Sequence, residues 1–261
     1  MIAHQPFSRE VPAARVCVLM VHGILGSPHH FDMLLPYIPE DWSFRSLQLD
    51  GHGGTIADFS RARRSKWEAQ VEREMASICA RYDRVVVVAH SMGCLLTANA
   101  AAKLGVGHKI ARMLFLGAAL YPKCDPSFVF NALHIVYRSP AHDKPVAAAA
   151  RSCCGVTVHK RFWEWLTCIP PLLDLFSLAR YTRKRIGGYD LPMYALQFRR
   201  DEVVKRRSLC PFLANPHADG EFLKHSMHFY YPPEDQARIC EVFAGIVADV
   251  TKNAQNVSLA D

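Results

Sequence analysis

Three residues have the types and the chain order that nucleophilic acyl transfer needs: Ser91, Asp201 and His228. A serine hydroxyl attacks a carbonyl only when a base removes its proton. An imidazole serves as that base when a carboxylate fixes its tautomer. The stretch Val85-Val86-Val87-Val88-Ala89-His90-Ser91-Met92-Gly93-Cys94-Leu95-Leu96 supplies the serine's setting. Four consecutive valines suit a strand covered on both faces. The Leu- and Ala-rich run Cys94 to Lys103 suits a helix. Ser91 stands at the corner between them, with the small residues Ala89 and Gly93 two positions to either side. A nucleophile elbow needs that spacing, because its turn is too tight for bulk. Alanine stands where glycine is usual, and the serine also has a plainer reading as a helix N-cap.

Asp201 follows the apolar run Leu191 to Phe198, and His228 follows a short strand expected near Glu221 to Lys224. All three residues therefore fall at the C-terminal ends of expected strands, where open α/β sheets place their sites. An oxyanion forming on the attacked carbonyl needs preorganised N–H donors. Met92 offers one at the helix start. Ile24, just after His22-Gly23, offers the other. Glu202 competes with Asp201 for the acid role and His225 with His228 for the base role, although Asp201 fits the strand end better. His22 and His52 read as turn-stabilising hydrogen-bonders, His90 as a residue that shapes the elbow, and Asp174 and Asp190 as solvated carboxylates. His29-His30 lacks a third ligand at matching spacing, so neither a metal nor a cofactor is expected.

The elements that must position these groups alternate. Val16 to Val21, Phe44 to Leu49, Val85 to Ala89, Ile110 to Leu116 and Leu191 to Phe198 read as strands, with helices between them. This order predicts an α/β fold with a mostly parallel sheet covered on both faces. A helix is expected from His29 to Tyr37. Ser65-Lys66-Trp67-Glu68 reads as a capping box ahead of a helix that carries Trp67, Val71, Met75, Ile78, Cys79 and Tyr82 on one face. Asp50-Gly51-His52-Gly53-Gly54-Thr55 is glycine-rich but has neither the P-loop lysine nor the GxGxxG order. Pro232-Pro233-Glu234-Asp235 opens a last helix with Ala237, Ile239, Val242, Phe243, Ile246, Val247 and Val250 on its apolar face. Between about Tyr121 and Tyr189 the valine-rich runs stop and the chain becomes helical, aromatic and basic, with Phe128, Phe130, Tyr137, Phe162, Trp163, Trp165, Phe176 and Tyr181. We read residues 121–189 as an inserted helical cap whose aromatics form mainly its own small core. Residues 1–120 and 190–261 then make the α/β core.

Composition bounds the partners. With 261 residues, half of them hydrophobic and 21% charged, the chain can bury a sizeable core. Its net charge of +7 is spread along the chain apart from short clusters such as Arg180 to Arg185. No recognition motif for nucleic acid accompanies that charge. No apolar run approaches the ~18 residues of a membrane span, so stable membrane insertion is not expected. Nine cysteines without framework spacing, and a start lacking the pattern of a secretory signal, lead to a cytoplasmic expectation.

His22-Gly23, Asp50-Gly51-His52-Gly53, Ala89-His90-Ser91-Met92-Gly93, Asp201-Glu202 and Ser226-Met227-His228 occur in that order. Together they resemble the α/β-hydrolase superfamily, most of all its capped carboxylesterases and monoacylglycerol lipases. The resemblance covers nearly the whole chain outside the cap. It implies a serine hydrolase cleaving carboxylic esters, with Ser91 as nucleophile, His228 as general base and acid, Asp201 as orienting acid, and Ile24 and Met92 as oxyanion donors. His228 is preferred to His225 because Ser226-Met227-His228 matches the small-x-His ending common in the esterases. Counting forward from His228 also puts Ile239, Phe243, Ile246 and Val247 where that group has core positions. The expected substrate is a small-molecule acyl ester, and the apolar-to-aromatic cap favours an apolar one with a medium or long acyl chain or an aromatic group. An amidase, aminopeptidase, acyltransferase or carbon–carbon bond hydrolase would use the same residues, and a non-catalytic ligand-binding member stands as the alternative of another class.

Overall fold

The valine run lies in β4 (Arg84–His90). Val86 and Val88 pack into one buried cluster with Val18 and Met20 of β2 (Val16–Val21). Val85 and Val87 pack into the opposite cluster with Cys17 and Leu19. Successive side chains of a strand point to opposite faces, so a strand between two covered faces must be apolar throughout. Each fully buried valine contributes roughly 1.5–3 kcal/mol of transfer free energy. The computed structural model describes residues 4–123, 137, 143–157 and 162–258.

The described residues form a sheet of seven strands in the order β1-β3-β2-β4-β5-β6-β7. Its other members are β1 (Phe7–Arg9), β3 (Ser43–Leu47), β5 (Ile110–Leu116), β6 (Met193–Phe198) and β7 (Ala218–Leu223). Every neighbouring pair is parallel except β1 with β3. The helices α2 (Arg64–Arg81) and α3 (Met92–Leu104) cover one face. A 3-10 helix, Pro28–Tyr37, and α8 (Pro233–Ser258) cover the other. Among the described residues of α8 the buried apolar ones are Ile239, Cys240, Phe243, Ile246, Val247 and Val250, whereas Ala237 is exposed. No apolar run announces β1. Pairing with β3 and the Arg9 guanidinium, which donates to the carbonyls of Pro39 and Trp42, hold it in place.

The capping box expected at Ser65 is not formed. The helix begins two residues earlier, with Arg63 at its N-cap and no side-chain cap bond. Glu68 is taken by Arg64 at 2.8 Å and does not reach back. The Arg64 N–H instead donates to Asp174 Oδ2 at 2.9 Å, so this carboxylate is a tertiary cap rather than a solvated group. Thr55 and Asp58 form a true capping box that starts the short α1 (Ile56–Ser60) where the glycine-rich loop ends.

Between β5 and β6 lie α4 (Pro145–Cys153), α5 (Phe162–Leu166) and α6 (Ile169–Arg183). Leu175, Leu178 and Ala179 of α6 join the buried cluster over α2 and α3, so this part of the insertion shares the main core. Its aromatics are not a separate core: Trp163 and Phe176 are 55% and 47% exposed. Phe128, Phe130 and the Phe162 side chain lie outside the described residues. Gly155 fastens the insertion to two core loops, donating to the Leu25 carbonyl at 2.9 Å and accepting from the Gly53 N–H. The short α7 (Cys210–Leu213) precedes β7.

Candidate active site

Ser91 occupies φ 53° and ψ −114°, between the last residue of β4 and the first of α3. Such a backbone costs a non-glycine residue on the order of 1–3 kcal/mol and persists only where its surroundings over-determine it. Here they do. The Ser91 N–H donates to Leu116 O at 2.9 Å, and the serine is 1% exposed. A Cβ on Gly93 would stand 2.1 Å from Val21 O, and one on Gly23 would stand 2.6 Å from the Ser91 Cβ. Only glycine lets α3 and the loop after β2 approach this closely. Ala89 is accommodated as a buried residue of the core.

The serine side chain makes no cap bond to its helix. Its Oγ lies 2.9 Å from His228 Nε2, and His228 Nδ1 lies 2.8 Å from Asp201 Oδ2. Nδ1 faces a carboxylate and so carries the proton, which leaves Nε2 free to accept from the hydroxyl. Asp201 is fixed in turn, since its Oδ1 accepts the N–H groups of Val203 at 2.8 Å and Val204 at 2.7 Å. Burial disfavours the imidazolium, but the Asp201 carboxylate, its hydrogen bond and the nearby Glu202 outweigh it. The His228 pKa is raised above the usual 6.5.

His225 takes no part in this chain of bonds. Its side chain is exposed, and its N–H donates to Asp235 Oδ2 at 2.8 Å. The same oxygen accepts the Ser226 N–H at 2.6 Å and the Ser226 hydroxyl at 2.7 Å, which ties the histidine loop to the first turn of α8. Burial opposes the Asp235 charge, yet these bonds hold its carboxyl below the usual range. Glu202 contacts the base without touching its ring, accepting the His228 N–H at Oε2 over 3.1 Å. Burial raises the Glu202 pKa. His90 donates from Nε2 to the His228 carbonyl at 3.0 Å.

The loop carrying Ile24 is shaped by two histidines. His22 Nε2 accepts the Leu49 N–H at 3.1 Å, and His52 Nε2 accepts the Leu25 N–H at 3.0 Å. Burial drives the His22 pKa well below its usual value and brings that of His52 down to about 4, so both are neutral acceptors. Leu25 has φ 56°, and Gly26 N–H donates back to Gly23 O at 3.0 Å, closing a tight turn around Ile24. His29 pairs with Asp32 at 3.1 Å while His30 Nε2 meets the Tyr231 hydroxyl at 2.7 Å. Asp190 is exposed beside His217. Among the described residues no three His, Cys, Asp or Glu side chains form a metal-ligating group, and no helix is long and apolar enough to cross a membrane.

Sequence reasoning missed Glu202 as a main-chain anchor and Asp235 as the clasp of the histidine loop. The only signal for Asp235 is its place in the first turn of the last helix, which a helix dipole explains equally well.

A mostly parallel sheet that gathers Ser91, Asp201 and His228 beyond the ends of β4, β6 and β7 defines the class. The alpha/beta hydrolase family profile matches residues 18–242, most of the chain, and the protein belongs to that family. No curated protein matches it. Among solved structures it is similar to one described for LipS and LipT, two metagenome-derived lipolytic enzymes. That match has a TM-score of 0.70 at 20% identity and covers 95% of this chain and 99% of the other. It is also similar to a soluble variant of monoglyceride lipase from Saccharomyces cerevisiae, with a TM-score of 0.67, 12% identity, and 93% and 90% coverage. A structure from work on carboxylesterases of the thaumarchaeon Nitrososphaera gargenis matches with a TM-score of 0.66, 14% identity, and 94% and 95% coverage.

Proposed function

We propose that the protein is a serine hydrolase that cleaves carboxylic esters through an acyl-enzyme. The observation that carries this reading is the bonded chain Ser91–His228–Asp201, at 2.9 and 2.8 Å, built on a serine with strained backbone. Ser91 Oγ attacks the ester carbonyl as its proton passes to His228 Nε2. The negative charge on the carbonyl oxygen is met by the N–H groups of Ile24 and Met92. His228 then gives its proton to the departing alkoxide, leaving the acyl group on Ser91. Water repeats the sequence with His228 as base, returning carboxylic acid and free enzyme. Asp201 holds the imidazole through Nδ1 and stabilises the imidazolium.

The insertion, residues 121–189, acts as the cap. Its bond from Gly155 to Leu25, beside Ile24, supports that role. Its aromatic and aliphatic composition favours an apolar acyl or aryl group. The similar lipolytic and carboxylesterase structures support ester over amide substrates.

Labelling with a fluorophosphonate probe and turnover of para-nitrophenyl esters test the reading. The probe should modify Ser91, and Ser91→Ala should lose at least about 10^4-fold in kcat. Full turnover by that variant, with an unlabelled wild type, refutes it. A panel of esters and amides of graded chain length then fixes the acyl preference.

A further inference from the structure

All four polar atoms of His228 are engaged. The ring bonds Asp201 and Ser91, the main-chain N–H donates to Glu202 Oε2 at 3.1 Å, and the main-chain carbonyl accepts from His90 Nε2 at 3.0 Å. Asp201 and Glu202 are consecutive residues of one loop, yet they divide the histidine between them, one holding its ring and the other its backbone. Their different reach explains this. Asp201 is locked by the N–H groups of Val203 and Val204, while Glu202 is one methylene longer.

We propose that Glu202 is a positioning residue for the base, which fixes the His228 main chain and supplies a second negative charge facing the imidazole. This rests on reading His228 as the base of the reaction. A glutamine would accept the same hydrogen bond, so holding the backbone does not by itself require a carboxylate. Burying a carboxylate without a cation is costly. Glu202 is 7% exposed, and the charged groups acting on it are His228 and Asp201.

The surroundings of the imidazole leave that charge something to do. Among the described residues, Asp201 and Glu202 from the loop after β6, His90 from the elbow and His30 from the 3-10 helix act on it, and Tyr231, bonded to His30, acts on the two carboxylates. Burial lowers the His30 pKa to about 3 and that of His90 well below its usual value, and it raises that of Tyr231 well above its own, so these three are neutral. Among the described residues, the charged groups that act on the imidazolium are thus the carboxylates of Asp201 and Glu202.

The test compares Glu202→Gln, Glu202→Asp and wild type as full-length protein. It follows ester turnover against pH and the His228 titration by NMR of 13C-histidine-labelled protein, with His228→Gln to assign the signal. Glu202→Gln should lose about tenfold in kcat with KM within about twofold. Its acid limb and its His228 titration should both move to lower pH. Glu202→Asp keeps the charge but shortens the reach, so it should lose kcat while titrating close to wild type. A Glu202→Gln protein with a wild-type acid limb and titration overturns the proposal, as does a Glu202→Asp protein that titrates like Glu202→Gln. Probe labelling of Ser91 separates the two failures. Labelled serine with an unmoved titration removes the role of Glu202 alone, and unlabelled wild-type serine removes the hydrolase reading and this role with it.

Discussion

Along the N-terminal edge of the sheet, Arg15 pairs with Asp83 at 2.7 Å, and Arg238 of α8 pairs with Glu241 at 2.8 Å. These side chains line an open groove of about 1160 Å³ between the strand starts and α8. At the C-terminal edge, Asp201, Glu202 and Asp235 are buried, and their bonds go to N–H and hydroxyl groups and to the His228 ring. Exposed pairs trade water for a partner at little net gain, about 0–1 kcal/mol. Buried carboxylates lose their hydration and depend on every donor being in place. Removing an ion pair costs the first edge little, whereas each donor lost at the second takes away part of what compensates a buried charge.

Substitutions at the two edges sharpen or break this contrast. Among the acidic residues Asp201→Asn should have the largest effect, lowering kcat on para-nitrophenyl esters by about 10^3–10^4-fold, because an amide neither fixes the His228 tautomer nor stabilises its charged form. A loss under about tenfold would break the contrast. The pH profile comes next. Protonated His228 cannot accept the Ser91 proton, and its pKa lies above the usual 6.5. Activity should therefore begin to fall above that pH on acidification, then drop about tenfold per further unit. Asp235→Ala leaves the His225 and Ser226 donors without their acceptor and should cost about 1–3 kcal/mol in denaturant melts, with reduced turnover as the histidine loop slackens. Asp83→Ala, at the other edge, should change stability by less than about 1 kcal/mol and leave kcat/KM as in wild type.

The sheet was legible wherever a strand is buried on both faces. The valines of β4 and the apolar runs of β2 and β5 announce themselves because nothing polar can be tolerated there. The strand-end positions of Ser91, Asp201 and His228 were legible for a related reason, since Ser91 directly follows such a run and the other two come within a few residues of a strand's end. What stayed hidden depends on partners distant in the chain. Phe7–Arg9 is a strand because β3 offers an edge, and Arg64 is capped by Asp174 from an insertion far downstream. Glu202 looks like a spare copy of Asp201 until the fold shows which carboxylate reaches the ring. The Ser65 capping box failed for the opposite reason, a local motif overridden by an ion pair between Arg64 and Glu68.

The bond from Gly155 to Leu25 also has a bearing on time. A growing chain releases the elbow early, and β2, β4 and α3 can pack as soon as they emerge. The loop beside Ile24 is fastened only when residues beyond β5 have been made. The acid and the base follow later still, after β6 and β7. On the proposed reading, a chain made only as far as α3 therefore holds its serine with nothing to activate it, and reactivity waits for the strands that follow.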